Sequence, residues 1–367
     1  MSTITKRPTK LADGRDLIYF DDADTALPPE RRIDERILDP RPTTAHMRQD
    51  VLTGEWISIA AARQNRAFLP PADQDPLAPQ TPANPSEIPD TYDVAVFENK
   101  SPSFGPDLQA DDAPPSLDAL AEVGIGREFR SVGRCEVVCF SPETAGSFAS
   151  ISESRARTVV EAWADRTAAL SAMPGIHQVF PFENRGEAIG VTLHHPHGQI
   201  YAYPYVTPRT QRLLASIERF GPDLFAEVLE SERQSDRVVL TGEHFTAFVP
   251  FAAHWPLEIH LLPHRHVADF AGLTEPEKDE LAHMHLRLTR SMDQLYDTPT
   301  PYIAAWHQAP VHVGRDTIRL MLQITSPRRA ATKLKFLAGS ESAMGAWIGD
   351  VVPEQQAEFI RKGIERA

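Results

Sequence analysis

Ile189-Gly190-Val191-Thr192-Leu193-His194-His195-Pro196-His197-Gly198-Gln199-Ile200-Tyr201-Ala202-Tyr203 places three imidazoles within four positions, beside a Pro and a Gly. Its ends are apolar and β-prone, so 189–203 reads as a strand. Alternate residues of a strand share a face, so His195, His197 and Gln199 are expected to point the same way. Such histidines can be core residues, metal ligands on a His-x-His strand, or a nucleophile with its orienting partner. No thiolate or carboxylate stands beside them in sequence, which weighs against a metal. A neutral imidazole, with a reference pKa of about 6.5, carries a lone pair able to attack phosphorus. Gln199 adds an amide donor for an oxyanion.

Outward from this stretch the chain alternates strands and long helices. Towards the N-terminus, 53–59 reads as a turn feeding a strand, and 93–97, 135–141 and 179–182 as strands. Residues 150–173 read as a helix opened by a Ser150/Glu153 capping box, with Val159, Val160 and Trp163 on one face. Towards the C-terminus, 210–232 is helical with a break at Gly221-Pro222. Strands follow at 238–241, 246–250 and 257–262. A helix at 274–296 opens with Thr274/Glu277 and carries the stripe Leu281, Met284, Leu288, Met292 and Leu295. Strands at 302–307 and 317–325 and a helix at 353–366 complete the chain. Strand–strand neighbours outnumber strand–helix alternations, so an α+β fold is expected, with two similar halves whose antiparallel sheets are flanked by helices. The halves are set at 46–206 and 207–367. Residues 1–45, polar and Pro-bearing, are expected to form an extended or poorly ordered arm. The prolines of 69–92 exclude regular structure there.

With 367 residues, 41% of them hydrophobic and 24% charged, the chain can bury a large core. A net charge of −14 argues against a nucleic-acid partner, whose backbone needs clustered Lys and Arg. No apolar run approaches the roughly 18 residues of a membrane span, and Met1 to Arg7 lacks an apolar leader. A soluble cytoplasmic protein is expected. Cys135 and Cys139, the two cysteines, are read as buried thiols, with a metal pair as the weaker option. The second group, His260-Leu-Leu-Pro-His264-Arg-His266, lacks the Gly-Gln of the first and is read as a relic or surface cluster.

His195-Pro196-His197-Gly198-Gln199 resembles the active-site signature of the galactose-1-phosphate uridylyltransferases, in the histidine-triad superfamily. The resemblance spans roughly 46–345. It includes Leu52-Thr53-Gly54-Glu55-Trp56, Arg63-Gln64-Asn65-Arg66, Val96-Phe97-Glu98-Asn99, Cys139-Phe140-Ser141-Pro142, Phe182-Glu183-Asn184, Ala305-Trp306-His307-Gln308-Ala309-Pro310 and Lys335-Phe336. It implies that His197 takes the uridylyl group, that Gln199 holds its phosphoryl oxygens, and that the His195 carbonyl fixes the His197 tautomer. It assigns Val96, Phe97 and Asn99 to the uridine, and Asn184, Gly190, Val191 and Thr192 to the nucleotide and its phosphates. Arg63 and Arg66 are assigned to the sugar phosphate, a task that suits a planar guanidinium. Lys335, Phe336, Gly339, Ser340 and Glu341 are assigned to the hexose. Bland readings stay beside these: a turn glycine at 190, a strand end at 96–99, solvated arginines, and a polar turn at 339–341.

The departures from that pattern concern metals. Many family members hold zinc with a Cys-x-x-Cys pair, a later His and the first His of His-Pro-His. Here the pair stands as Asp75-Pro76-Leu77-Ala78 and the later His as Thr144; only His195 remains. Of an iron site of one Glu and three His, His307 remains, while the other positions fall at Met321, Gln323 and near Leu213. An enzyme with no metal cofactor is expected, its 69–92 loop held by packing. The implied reaction is ping-pong exchange of UMP between UDP-glucose and galactose 1-phosphate, in galactose metabolism (the Leloir pathway), by a homodimer without nucleic-acid or membrane partners. Two other readings stand: an ADP-sugar or dinucleotide phosphorylase or adenylyltransferase on the same scaffold, and a nucleotide-binding protein without chemistry.

Overall fold

The computed structural model describes residues 3–38, 41, 45–61, 69–106, 121–123 and 125–367. In chain order it contains β1 (Thr5–Lys10), β2 (Asp16–Asp21), β3 (His46–Gln49), β4 (Trp56–Ile59), β5 (Val94–Glu98), β6 (Ala121–Val123), β7 (Gly126–Arg130), β8 (Arg134–Cys139), α1 (Glu153–Ser171), β9 (Gln178–Arg185) and β10 (His197–Tyr203). There follow α2 (Pro208–Phe220), α3 (Leu224–Arg233), β11 (Val238–Thr241), β12 (Phe245–Phe248), β13 (Leu257–Pro263), α4 (Glu275–Asp293), β14 (Tyr302–His307), β15 (Met321–Ser326), β16 (Arg328–Ala330), β17 (Lys333–Leu334), α5 (Gly339–Met344) and α6 (Pro353–Ile364). The fold is α+β, as the excess of strand–strand neighbours predicts.

Eleven strands form one sheet in the order β1-β2-β5-β8-β10-β9-β14-β15-β13-β12-β11. The series β5, β8, α1, β9, β10 recurs as β12, β13, α4, β14, β15. In the sheet the two series lie as mirror orders about the β9–β14 seam, where Arg185 faces Tyr302 and Phe182 faces Ala305. The two halves therefore share a single sheet. β3, β4, β6 and β7 make a separate four-stranded sheet.

Helices α1 and α4 cover one face of the large sheet. Trp163, Trp306, Phe148 and Phe270 fill the space between, all fully buried. Strand periodicity then divides β10: Ile200 and Ala202 join that core, while His197, Gln199, Tyr201 and Tyr203 face the other way. The site is thus on the sheet face opposite the long helices.

Three expectations change. Among its described residues the arm carries regular structure: β1 and β2 form a hairpin, and β2 pairs with β5. Leu17-Ile18-Tyr19-Phe20 is buried on both faces, and β1, with its lysines and a Pro, makes a charged edge. α1 is capped by Ser152, whose side chain accepts from Arg155 N; Ser150 belongs to a preceding 3-10 turn. The strand expected over 189–203 begins only at His197. The 210–232 segment divides at Gly221 and the Thr274/Glu277 capping box opens α4, as read. Among the described residues, no helix is long and apolar enough to cross a membrane.

Candidate active site

A 3-10 turn at Glu187–Ile189 ends on Gly190, whose φ of 82° is left-handed. Pro196, without an N–H, cannot donate to a ladder. Residues 190–196 therefore run irregularly, and His195 falls outside the strand periodicity. Its ring turns instead to the Pro-rich segment: Nδ1 lies 2.7 Å from Asp75 Oδ2 and Nε2 lies 2.9 Å from the Tyr92 hydroxyl. The side chain of His195 is fully buried. Tyr92 also donates to the Leu77 carbonyl at 2.8 Å. The 69–92 loop is thus tied to the His-Pro-His turn by hydrogen bonds as well as packing.

His197 opens β10. Its Nδ1 lies 2.7 Å from the carbonyl oxygen of His195. A carbonyl only accepts, so Nδ1 carries the proton and Nε2 presents a lone pair. Desolvation pushes the His197 pKa down to about 4, outweighing the upward pull of that hydrogen bond. The imidazole is therefore an uncharged base at neutral pH. Gly198 follows because nothing larger fits: an added Cβ would sit 2.8 Å from the Phe140 ring and 2.9 Å from the Phe182 carbonyl oxygen.

Two cavities meet at His197. The smaller, about 230 Å³, is lined by Pro76, Leu77, Glu87, Phe97, Asn99, Lys100, Val137, Thr192, Leu193 and Gln199. The larger, about 520 Å³, is lined by Glu183, Asn184, Arg185, Val191, His194, His195 and Arg328 among others. Together they match the size of pockets that enclose cofactor-sized ligands. Phe97, Asn99, Asn184, Val191, Thr192 and Gln199 thus gather around His197. Val96 does not line either cavity; as Phe97's neighbour on a strand it points into the helical core. Gly190 lines neither and serves the turn. Arg63 and Arg66 lie outside the described residues.

Lys335, Phe336, Gly339, Ser340 and Glu341 are not brought to His197 within this chain. Lys335 Nζ lies 2.8 Å from Glu341 Oε1, both side chains almost wholly buried. Glu341 also accepts from Ala338 N and Ile348 N, holding the start of α5. Ser340 Oγ donates to the Ala346 carbonyl. Lys335 and Phe336 border a third cavity with Ile189 and Trp255.

Several site groups were assigned no role from the sequence. Lys100, Arg185 and Arg328 bring positive charge to the cavities; Arg185 is paired with Asp293. Glu183 is buried in the wall of the larger cavity, accepting from Phe148 N at 3.1 Å and Tyr302 Oη at 3.0 Å. Burial raises its pKa to about 7. Tyr92 is 103 positions from His195, too far for local reading.

The residues present do not suit the family's metals. Both ring nitrogens of His195 are engaged by Asp75 and Tyr92, so neither is left to ligate zinc. In the second half His307 Nε2 lies 3.0 Å from Gln323 Oε1, and Gln323 Nε2 donates to Glu258 Oε1 at 2.7 Å. His260 Nε2 is 3.0 Å from the same oxygen. These four side chains form one hydrogen-bonded chain, with His307 and His260 at its ends. His260 is thus a member of this part-buried chain, while His264 pairs with Thr246. Among the described residues no group of three or more His, Cys, Asp or Glu could hold a metal ion. Cys135 and Cys139 are both buried, and neither is in a disulfide.

Residues 33–207 match the sequence model described as galactose-1-phosphate uridyl transferase, N-terminal domain, and residues 205–365 match that of its C-terminal domain. The chain is 42% identical to a galactose-1-phosphate uridylyltransferase of Streptomyces lividans, with 97% of each chain covered. It is 34% identical to one from Thermotoga maritima over 86% of this chain and 98% of the relative. A solved structure titled "Structure of uridylyltransferase" superposes with a TM-score of 0.77 at 28% identity, covering 88% of this chain and 99% of that one. An ADP-glucose phosphorylase from Arabidopsis thaliana, 22% identical with a TM-score of 0.63, covers 87% and 99% and shares the fold.

Proposed function

Because this chain belongs to the galactose-1-phosphate uridylyltransferase family and is a transferase, we propose that it exchanges UMP between UDP-glucose and galactose 1-phosphate through a uridylyl-His197 intermediate. The observation that carries this reading is the fixed tautomer of His197, with Nε2 unprotonated where the two cavities meet. In the first step Nε2 bonds to the α-phosphorus of UDP-glucose while the bond from that phosphorus to the bridging oxygen breaks. Glucose 1-phosphate leaves with the electron pair and needs no proton. In the second step a phosphate oxygen of galactose 1-phosphate attacks the same phosphorus, and the P–N bond returns its electrons to Nε2. One nucleotide sugar replaces another, so the exchange is close to thermoneutral.

The smaller cavity is assigned to the uridine, with Phe97 and Asn99 at its wall, and the larger to the phosphates and hexose, under Asn184, Arg185 and Arg328. Gln199, beside His197, donates to the phosphoryl oxygens and carries no base that would activate water. Arg63 and Arg66 are kept as sugar-phosphate ligands by resemblance. The halves 46–206 and 207–367 are proposed as copies of one ancestral unit. A homodimer is proposed, supported by the exposed apolar run Phe336, Met344, Trp347 and Ile348 beside the family's hexose-binding residues. Lys335, Phe336, Gly339, Ser340 and Glu341 would then serve the partner's site. No metal is assigned a role.

The test is to incubate the protein with UDP-glucose, ADP-glucose or GDP-glucose, each labelled in the nucleotide, and to count acid-labile label on protein. Uridylyl label, absent from His197→Gly and discharged by galactose 1-phosphate, is the expected result. Adenylyl label would move the protein to the ADP-sugar reading. Tight nucleotide binding without label would leave a binding protein.

A further inference from the structure

We propose that Asp75 and Tyr92 are positioning residues for His197: they clamp the His195 ring from both sides and so fix the carbonyl that orients the nucleophile. The proposal rests on the nucleotidyl-His197 reading. Its geometry runs through one short path. Asp75 and Tyr92 hold the two ring nitrogens of His195 at 2.7 and 2.9 Å. The carbonyl of His195 holds His197 Nδ1 at 2.7 Å. On either side of it the main chain is tied down, Pro196 O accepting from Phe140 N and His194 O from Gly146 N. The His195 peptide then has no freedom to rotate unless its side chain lets go.

The clamp is itself braced. Asp75 Oδ1 accepts from Leu77 N at 2.9 Å, and its carbonyl accepts from Asn84 Nδ2 at 2.8 Å. Tyr92 is 1% exposed, and its hydroxyl bridges His195 to the Leu77 carbonyl. Outside this layer Arg15 pairs with Glu87, and Arg36 donates to the carbonyls of Ser86 and Glu87. The same loop supplies Pro76, Leu77 and Glu87 to the wall of the smaller cavity. One set of hydrogen bonds therefore sets the cavity wall and the nucleophile together. A hydrogen-bonded carboxylate and phenol do here what a bound ion does for a ligating imidazole, which is to fix the ring's orientation.

A single-turnover burst with labelled nucleotide sugar separates positioning from folding, because its amplitude counts competent sites and its rate reports their chemistry. Tyr92→Phe removes one oxygen and keeps the ring. Its burst rate is expected to fall about 10- to 100-fold at unchanged amplitude, by analogy with the loss of partners that orient metal-bound imidazoles. KM for the nucleotide sugar should stay within about twofold. Asp75→Ala should behave alike, and Asp75→Asn, whose amide oxygen still accepts from Nδ1, should recover most of the rate. If Asp75→Ala does not fold, Tyr92→Phe decides. An unchanged burst rate in Tyr92→Phe overturns the proposal, whether or not the amplitude falls. So does stoichiometric zinc in the purified protein that Asp75→Ala releases. A wild-type protein that shows no burst with any nucleotide sugar overturns the nucleotidyl reading, and this proposal with it. That outcome is distinct from equal bursts in wild type and variants, which rejects the clamp alone.

Discussion

An imidazole stripped of water gives up its proton early, and two residues show this with opposite consequences. His197, with its pKa pushed down to about 4, should attack phosphorus equally well from pH 8 to about pH 5.5. With Glu183, whose pKa is about 7, replaced by Gln, the burst rate is expected to fall only as pH nears 4; a halving near pH 6.5 in that variant would contradict the assignment. His285 lies on α4, stacked on Phe148 at 4.1 Å, and neither ring nitrogen has a hydrogen-bond partner. Burial lowers its pKa to about 3. The unfolded chain takes up a proton near pH 6.5 and the fold does not. Stability from this residue is therefore complete above pH 6.5 and is lost as pH falls towards 3. Between pH 7.5 and 5.0 the loss is roughly 2 kcal/mol. Urea unfolding of His285→Met should show a pH dependence smaller by about that amount. At this scale the sequence told most where neighbours are local. His197, Gly198 and Gln199 announce themselves, whereas Asp75 and His195 are 120 positions apart. Asp75 was legible only as a missing cysteine, not as a partner.

The N-terminal hairpin was hidden by its own composition. β1 is polar on both faces because it is the sheet's edge, and β2 offers only four apolar residues between two aspartates. Its order comes from contacts with β5 and the Pro-rich loop that no local pattern encodes. Arg15, fully buried, joins these pieces by donating to the Glu98 carbonyl and pairing with Asp13 and Glu87. Arg15→Met leaves Asp13 without its ion-pair partner and Glu87 with Arg36 alone at 3.7 Å, and should cost about 3 kcal/mol in denaturant unfolding. In β10 the limit is space. Gly198→Ala must displace the Phe140 ring or the β9 main chain, and is expected to cost about 1–3 kcal/mol and to slow the burst. The strand expected from residue 189 fails at the same place: Gly190 and Pro196 were visible, but their combined effect on seven residues was outweighed by the apolar flanks.

At the scale of the molecule, the excess of strand–strand neighbours over strand–helix alternations was enough for the α+β class, because it depends on periodicity alone. That the halves share one sheet was not legible, since nothing local marks β9 and β14 as neighbours. The apolar residues left outside, Phe336 at 79% and Met344 at 80% exposed, are expected to be covered in a dimer. Analytical ultracentrifugation should find a dimer in wild type and a monomer with little turnover in Phe336→Asp. A dimer that survives this change would place the interface elsewhere. The seam has one more effect, which concerns the order of synthesis. β14 begins 117 positions after β9 ends. During translation at roughly 5–20 residues per second, the nascent first half shows an uncapped β9 edge for on the order of ten seconds. Ribosomes crowded on one message would hold several such edges within reach of each other, so slower initiation or a colder culture should raise the soluble yield.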